Sequence, residues 1–486
     1  MLFGSTREGI FDRTAPEAVL SGIAPDGGLY VPDTIPLLYD AALPDEDYIS
    51  LATRIFERML PGYTKEECAG FADGAYRETF AVPNVTPLRK VGSNHVLELF
   101  HGPTCAFKDI ALCALPLMMA AALRKSSPQR DILILTATSG DTGSAALSGF
   151  LHVPGVRIIV FYPEKGVSPV QKAQMVTQDG DNVSVCAIRG DFDDAQRGVK
   201  RIFADAAPFS VRLSSANSIN IGRLVPQMTY YFMAYNQLIK QGGIKPGDKV
   251  SFSVPTGNFG DILAGYLAKR AGLPIARLIC ATNANDVLKD FLLTGIYDRR
   301  RTLKKTLSPS MDILVSSNLE RLLFFESGGD APFVRSCMRS LQSEGRYTVP
   351  DRIMNGIRQT FSAGSCGDAE ALAVIRDVWQ KNHYLIDPHT AAAWKVAQDT
   401  RREAEGHPHI VLATASPFKF PRAIGEALDL DVSDTPGAPG ELGQKLRLAV
   451  PPPLQALAKR TVVHQDVVDV GDMSAYVFRK AALSKW

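Results

Sequence analysis

Between about residue 95 and residue 300, the hydrophobic positions take two alternating forms. Short, nearly unbroken apolar runs lie at 96–100, 132–137, 156–162, 183–188, 250–254 and 278–281. Between them the apolar positions recur at helical spacing, most clearly at 221–239 and 262–271. Strands that are apolar on both faces and separated by helices predict parallel sheets covered on both sides. The repeated βαβ pattern assigns this part of the chain to the α/β class.

The flanks differ in texture. Residues 1–92 are rich in Pro, Asp and Glu, with a helical pattern at 48–60, and read as an N-terminal domain. Residues 93–215 read as a smaller α/β domain and 216–486 as a larger one. Within the larger unit, about 300–380 is charged, lacks clear strands and reads as a helical insertion. A last strand is expected at 410–414, followed by a helix and an irregular tail containing three consecutive prolines at 451–453. The longest apolar run, 110–123, is too short to span a bilayer, contains Pro116, and reads as one buried core helix.

Composition narrows the function classes. With 53 Lys plus Arg against 51 Asp plus Glu, the formal charge is +2, no footprint for nucleic acid or an anionic membrane. The seven cysteines form no C-x-x-C pair and have no metal spacing, and the start carries no basic and then apolar leader. The expectation is a cytoplasmic protein with reduced thiols, monomeric or homodimeric, without metal, acting on a small molecule.

In parallel sheets, ligands bind beyond the carboxyl ends of the strands. Four strand-end segments carry unusual chemistry. The first runs through His101-Gly-Pro-Thr-Cys-Ala-Phe-Lys108-Asp109. A lysine after a Gly-Pro turn is either solvated at a helix start or, in a dry cleft, a nucleophilic amine. His101 is the histidine nearest this segment. The second is Thr136-Ala-Thr-Ser-Gly-Asp-Thr-Gly-Ser144, before a helix expected from Ala145; its hydroxyls and amides suit a helix cap or a carboxylate or phosphate. The third, Pro255-Thr-Gly-Asn-Phe-Gly-Asp261, is either an ordinary turn or a loop admitting an anion to the backbone at Gly257 and Gly260. The fourth is Thr414-Ala-Ser-Pro-Phe-Lys419, where the Thr414 hydroxyl could meet a heterocycle nitrogen. No H-E-x-x-H, G-x-S-x-G or P-loop pattern occurs.

Together with Ser5-Thr-Arg7, Asp26-Gly-Gly-Leu-Tyr-Val-Pro32, Ser168-Pro-Val-Gln171, Gly190-Asp-Phe-Asp-Asp-Ala-Gln196, Asn217-Ser-Ile-Asn220, Ala281-Thr-Asn-Ala-Asn-Asp286 and Ser308-Pro-Ser-Met-Asp-Ile313, these segments resemble the threonine synthase family in its longer fungal and bacterial form. The resemblance covers nearly the whole chain in the right order. It implies the pyridoxal-phosphate β-family fold (fold type II), with two parallel-sheet α/β domains, and pyridoxal 5′-phosphate as cofactor. Lys108 would hold the cofactor as a Schiff base and shuttle protons. Asp141, Gly257, Asn258, Phe259, Gly260 and Thr414 would complete the cofactor site. Thr138, Ser139 and Thr142 would bind the substrate carboxylate, and Lys165, Asn217, Ser218 and Arg223 its phosphate. The implied reaction converts O-phospho-L-homoserine and water to L-threonine and phosphate.

The sequence departs from the family pattern in two places. Glu8 precedes Gly9 where Gly usually follows Arg7 directly. Ser416 and Phe418 replace a His and an Ala of the family's Thr-Ala-His-Pro-Ala-Lys-Phe, a segment expected to lie close to ring and substrate. The alternatives are a related phospho-lyase releasing 2-oxobutanoate, ammonia and phosphate, and an inactive binding relative.

Overall fold

The computed structural model describes residues 1–40, 45–126, 131–138, 140–204, 211–400 and 406–482. Two sheets carry the fold. The larger has six strands in the order Phe361–Ser365, Ile275–Thr282, Val250–Pro255, His409–Ala413, Asn94–Glu98 and Leu88–Val91. All are parallel except the last, which forms a hairpin with its neighbour. The smaller has five parallel strands in the order Asp466–Asp469, Val183–Arg189, Val156–Pro163, Ile132–Ala137 and Arg212–Ser214.

Every residue of Ile132–Ala137 and Val250–Pro255 is buried, as expected for strands with helices on both faces. The helix Ile221–Lys240 is buried from Ile221 to Leu238, which fits its near-continuous apolar surface. Its N-terminus is fixed by Asn220. The side-chain oxygen of Asn220 accepts from the Gly222 amide at 2.9 Å, while Nδ2 donates to the carbonyls of Val19 and Ser215.

Several expectations need correction. The run 110–123 is two helices, Lys108–Leu112 and Leu115–Lys125, because Pro116 lacks an amide donor and is accommodated only in a new first turn. The strand before the lysine segment belongs to the larger sheet, next to His409–Ala413, not with the strands of 132–214. The stretch 300–380 is not purely helical: it holds Arg346–Thr348 and supplies the edge strand Phe361–Ser365. The tail is not irregular, since Asp466–Asp469 returns to the edge of the smaller sheet and the helix Met473–Ala482 follows. These edge strands are short and partly exposed, so they lack the apolar runs that mark central ones. Among the described residues, no helix is long and apolar enough to cross a membrane.

The N-terminal motif residues lock the first strand onto the charged stretch. Thr6 Oγ1 donates to Glu320 at 2.6 Å, and Arg7 Nε and Nη2 grip both oxygens of the same carboxylate. The neighbouring Arg321, also buried, donates to the carbonyls of Tyr30 and Ile219 and to Asn318. One buried guanidinium thereby ties the N-terminal strand Tyr30–Pro32 to the loop before the long helix.

Candidate active site

Backbone bonds bring the first and fourth segments together. Leu99 donates to the Ala413 carbonyl, Phe107 to that of Thr414 at 2.8 Å, and Ser416 to that of Cys105. The lysine segment is thus laid along the end of the His409–Ala413 strand. A cavity of about 350 Å³ opens there, beyond the carboxyl ends of strands from both sheets.

Lys108 lines this cavity and is 9% exposed, with Nζ 4.5 Å from the Phe107 ring centre. Burial, reinforced by the nearby charges of Arg223 and Lys419 and opposed by Asp141, pushes its amine down to about 8. Lys108 is thus buried at the cavity rather than exposed at a helix start.

At the third segment, the Gly257 carbonyl accepts from Ser316 Oγ at 2.8 Å. The Asn258 carbonyl accepts from the backbone and side chain of Asn318, both at 3.1 Å. With its carbonyls held, the turn leads into the helix Gly260–Arg270, whose first amides have no helical acceptor. A Cβ on Gly257 would meet the Ser310 carbonyl oxygen at 2.6 Å, and one on Gly260 would meet Ser218 Cβ at 3.3 Å. The left-handed residue is neither glycine but Phe259, at φ 62°. The glycines supply room and Phe259 supplies the bend.

The second segment is braced from within. Thr138 Oγ1 accepts from the amides of Gly140 and Gly143 at 2.9 and 3.0 Å. Gly140 sits at φ 148°, with the Gln171 side chain where a Cβ would project. Asp141 opens the helix Asp141–Phe150 and is 3% exposed. Burial opposes its ionisation, but the Lys419 and Lys108 charges outweigh that and hold it well below the usual carboxylate range. Thr142 also lines the cavity; Ser139 lies outside the described residues.

Arg223 is 2% exposed and faces the cavity. One nitrogen donates to the Ala216 carbonyl at 2.6 Å, Nε has no partner, and no carboxylate pairs with it among the described residues. Burial pushes its guanidinium down to about 10. Asn217 Oδ1, also on the lining, is likewise unpartnered, and Ser218 borders Gly260. A buried cation with an orphaned donor is costly unless an anion completes it.

Lys165, expected here, is exposed in the loop after Val156–Pro163 and does not line the cavity. His101 is not in the cavity either; it pairs with Glu98 at 2.8 Å. The histidine that lines it is His389, whose Nδ1 lies 2.6 Å from Asp387 and whose Nε2 accepts from the Ser310 amide at 3.3 Å. Ser416 and Phe418 are buried but do not line the cavity; Phe418 packs in the apolar core beneath.

Sequence reasoning missed three further groups. Lys419 is completely buried and ion-paired to Asp141 at 3.0 Å. Gln171 donates to the same carboxylate at 2.8 Å. Asp261 accepts from Tyr230 and Tyr231 at 2.5 and 2.8 Å, and burial pushes it up to about 6. A lysine inside an otherwise apolar strand-end segment was the available signal for Lys419; Gln171 and Asp261 stand at the ends of segments that carry the resemblance, and His389 carried no signal beyond its residue type.

A buried amine, a glycine-spaced turn at a helix N-terminus and a strand-end hydroxyl on one cavity fit pyridoxal phosphate, and the fold is that of the parallel-sheet enzymes using this cofactor. Residues 84–415 match the family described as pyridoxal-phosphate dependent enzyme. Residues 2–76 and 390–477 match the N-terminal and C-terminal regions of threonine synthase. The chain is 41% identical to threonine synthase of Pseudomonas aeruginosa over 438 residues, covering 88% of this chain and 89% of that one. It is 40% identical to human threonine synthase-like 1 over 466 residues, and spans 62% of that longer protein. The crystal structure of pyridoxal-phosphate-bound threonine synthase from Brucella melitensis superposes with a TM-score of 0.88 at 38% identity, covering 99% of this chain and all of that one. The chain belongs to the threonine synthase family.

Proposed function

We propose that the protein converts O-phospho-L-homoserine and water to L-threonine and phosphate, with pyridoxal phosphate held in the cavity. The observation that carries the reading is the pairing, on one cavity, of the buried Lys108 amine with the Arg223 guanidinium, which has no ion-pair partner among the described residues.

Lys108 would hold the cofactor through its amine, which desolvation makes available as a nucleophile near neutral pH. The turn 257–260, through Gly257, Asn258, Phe259 and Gly260, would hold the cofactor phosphate at the helix N-terminus. Thr414 would meet the ring nitrogen, and Asp141 would help to hold the ring. When bound, the cofactor supplies the electron sink for losing the α proton and the γ-phosphate. Lys108 Nζ takes the proton from the α carbon. The segment from Thr138 through Ser139 to Thr142 receives the substrate carboxylate at the helix Asp141–Phe150. Arg223, Asn217 and Ser218 receive its phosphate, and Arg223 carries an unneutralised charge suited to an anion.

The positions of Ser416 and Phe418 also favour this reading over phospho-lyase chemistry, since neither side chain lines the cavity. Incubation with O-phospho-L-homoserine tests it. The expected products are L-threonine and phosphate in equal amounts. Phosphate accompanied by 2-oxobutanoate and ammonia, without threonine, would replace this reading with the lyase; no release at all would favour a binding role.

A further inference from the structure

Lys419 lies in the 3₁₀ turn Pro417–Lys419 and is 0% exposed. Its ammonium donates to the Thr104 carbonyl at 2.7 Å and lies 3.0 Å from Asp141 Oδ1. The other oxygen, Oδ2, is 3.9 Å from Lys108 Nζ and accepts from the Ser310 hydroxyl at 3.3 Å. Three buried charges, positive, negative and positive, therefore stand in series at the head of the cavity.

A buried carboxylate with a single ammonium neighbour holds that neighbour's proton, because deprotonation would strand the carboxylate charge. In this array the carboxylate has a second ammonium, closer and fixed by an independent bond to a carbonyl. We propose that Lys419 is a positioning residue, the standing counter-ion of Asp141, which leaves Lys108 free to release its proton without stranding a buried charge. The proposal rests on reading Lys108 as the reactive amine.

The other charged groups around this array come from four helices. Arg223, on the long helix, acts on Lys108 in the same direction as Lys419. Asp261, on the helix Gly260–Arg270, acts in the opposite direction. His389, on Pro388–Asp399, faces Asp141 and is itself tied to Asp387. Asp109, beside Lys108, is occupied by the hydroxyl and amide of Thr104. None of them takes the place of Lys419 against Asp141 Oδ1.

The test is competitive acetylation of the full chain freed of cofactor, from about pH 6 to about pH 10, with the Lys108 peptide quantified by mass spectrometry. Lys419→Met should raise the labelling midpoint of Lys108 by about one pH unit and cut labelling near pH 8 several-fold. Lys419→Arg, which keeps the charge, should retain the parent midpoint. A midpoint that is unmoved or lowered in Lys419→Met, or raised equally in Lys419→Arg, would overturn the proposal. If Lys419→Met lacks the parent's near-UV dichroism, the double variant Asp141→Asn/Lys419→Met decides, since it removes one charge of each sign. A midpoint within about half a unit of the parent supports the proposal and a larger rise overturns it. The labelling is done on the cofactor-free chain and reads the ionisation of Lys108 whichever lysine binds the cofactor in the holoenzyme, so failure here is distinguishable from failure of the Lys108 assignment.

Discussion

The Phe107 amide donates to the Thr414 carbonyl at 2.8 Å, and this bond sets Lys108 and the Thr414 side chain on the same cavity from distant parts of the chain. Because the backbone of Thr414 makes the bond, its side chain can be changed while the lysine segment stays in place. Thr414→Asp would favour a protonated ring nitrogen where the hydroxyl leaves it neutral. The expected outcome is a changed ratio of threonine to 2-oxobutanoate, read by chromatography of the products. An unchanged ratio at an unchanged rate would remove Thr414 from the site.

The cradle makes a steric prediction. A Cβ at Gly257 would stand 2.6 Å from the Ser310 carbonyl oxygen, a backbone atom that cannot rotate away. Gly257→Val should therefore displace the turn and lose most bound cofactor on dialysis, while keeping the parent's far-UV dichroism. Full occupancy measured by cofactor absorbance would mean that the phosphate is held elsewhere.

Arg223 predicts how substrates are discriminated. Replacing it with Met removes a charged hydrogen-bond donor, a loss of about 1.5–3 kcal/mol and so about 10- to 150-fold in kcat/KM for O-phospho-L-homoserine. The drop should fall mainly on KM. Equal losses for L-homoserine, which has no phosphate, would argue against Arg223 as the phosphate partner.

The depressed amine predicts a pH dependence. Lys108 has an ordinary value of 10.5 and is pushed down to about 8, so the neutral, nucleophilic form grows as pH rises and is the major form above about 8. The rate of cofactor uptake by the cofactor-free chain should rise about tenfold per unit below that point and flatten above it. A stopped-flow profile still climbing at the same slope near pH 10 would place the amine in water.

The central strands and the long helix were legible because their signal is a long run of one period: 132–137 was located to the residue and 221–239 to within one. The edge strands Arg212–Ser214, Phe361–Ser365 and Asp466–Asp469 were not, since each pairs on one side only and needs no apolar run. Sheet membership was hidden for a related reason: whether 94–98 joins the larger or the smaller sheet depends on its partner His409–Ala413, far along the chain. In the site, the glycine turn and the lysine segment announced themselves by composition. Lys419 did not, because an ion pair with Asp141 exists only once the strand ends converge. Lys165, which the resemblance offers for the substrate phosphate, stands exposed in a surface loop.

The account converges on which lysine carries the cofactor, and the cavity offers a rival: Lys419 is buried about one side chain away, across Asp141. Borohydride reduction of the purified holoenzyme, followed by peptide mapping, separates the two. The account predicts a single pyridoxyl label on Lys108, and its absence, without transfer elsewhere, in Lys108→Ala. A label on Lys419, or on any other lysine of the parent protein, would contradict it.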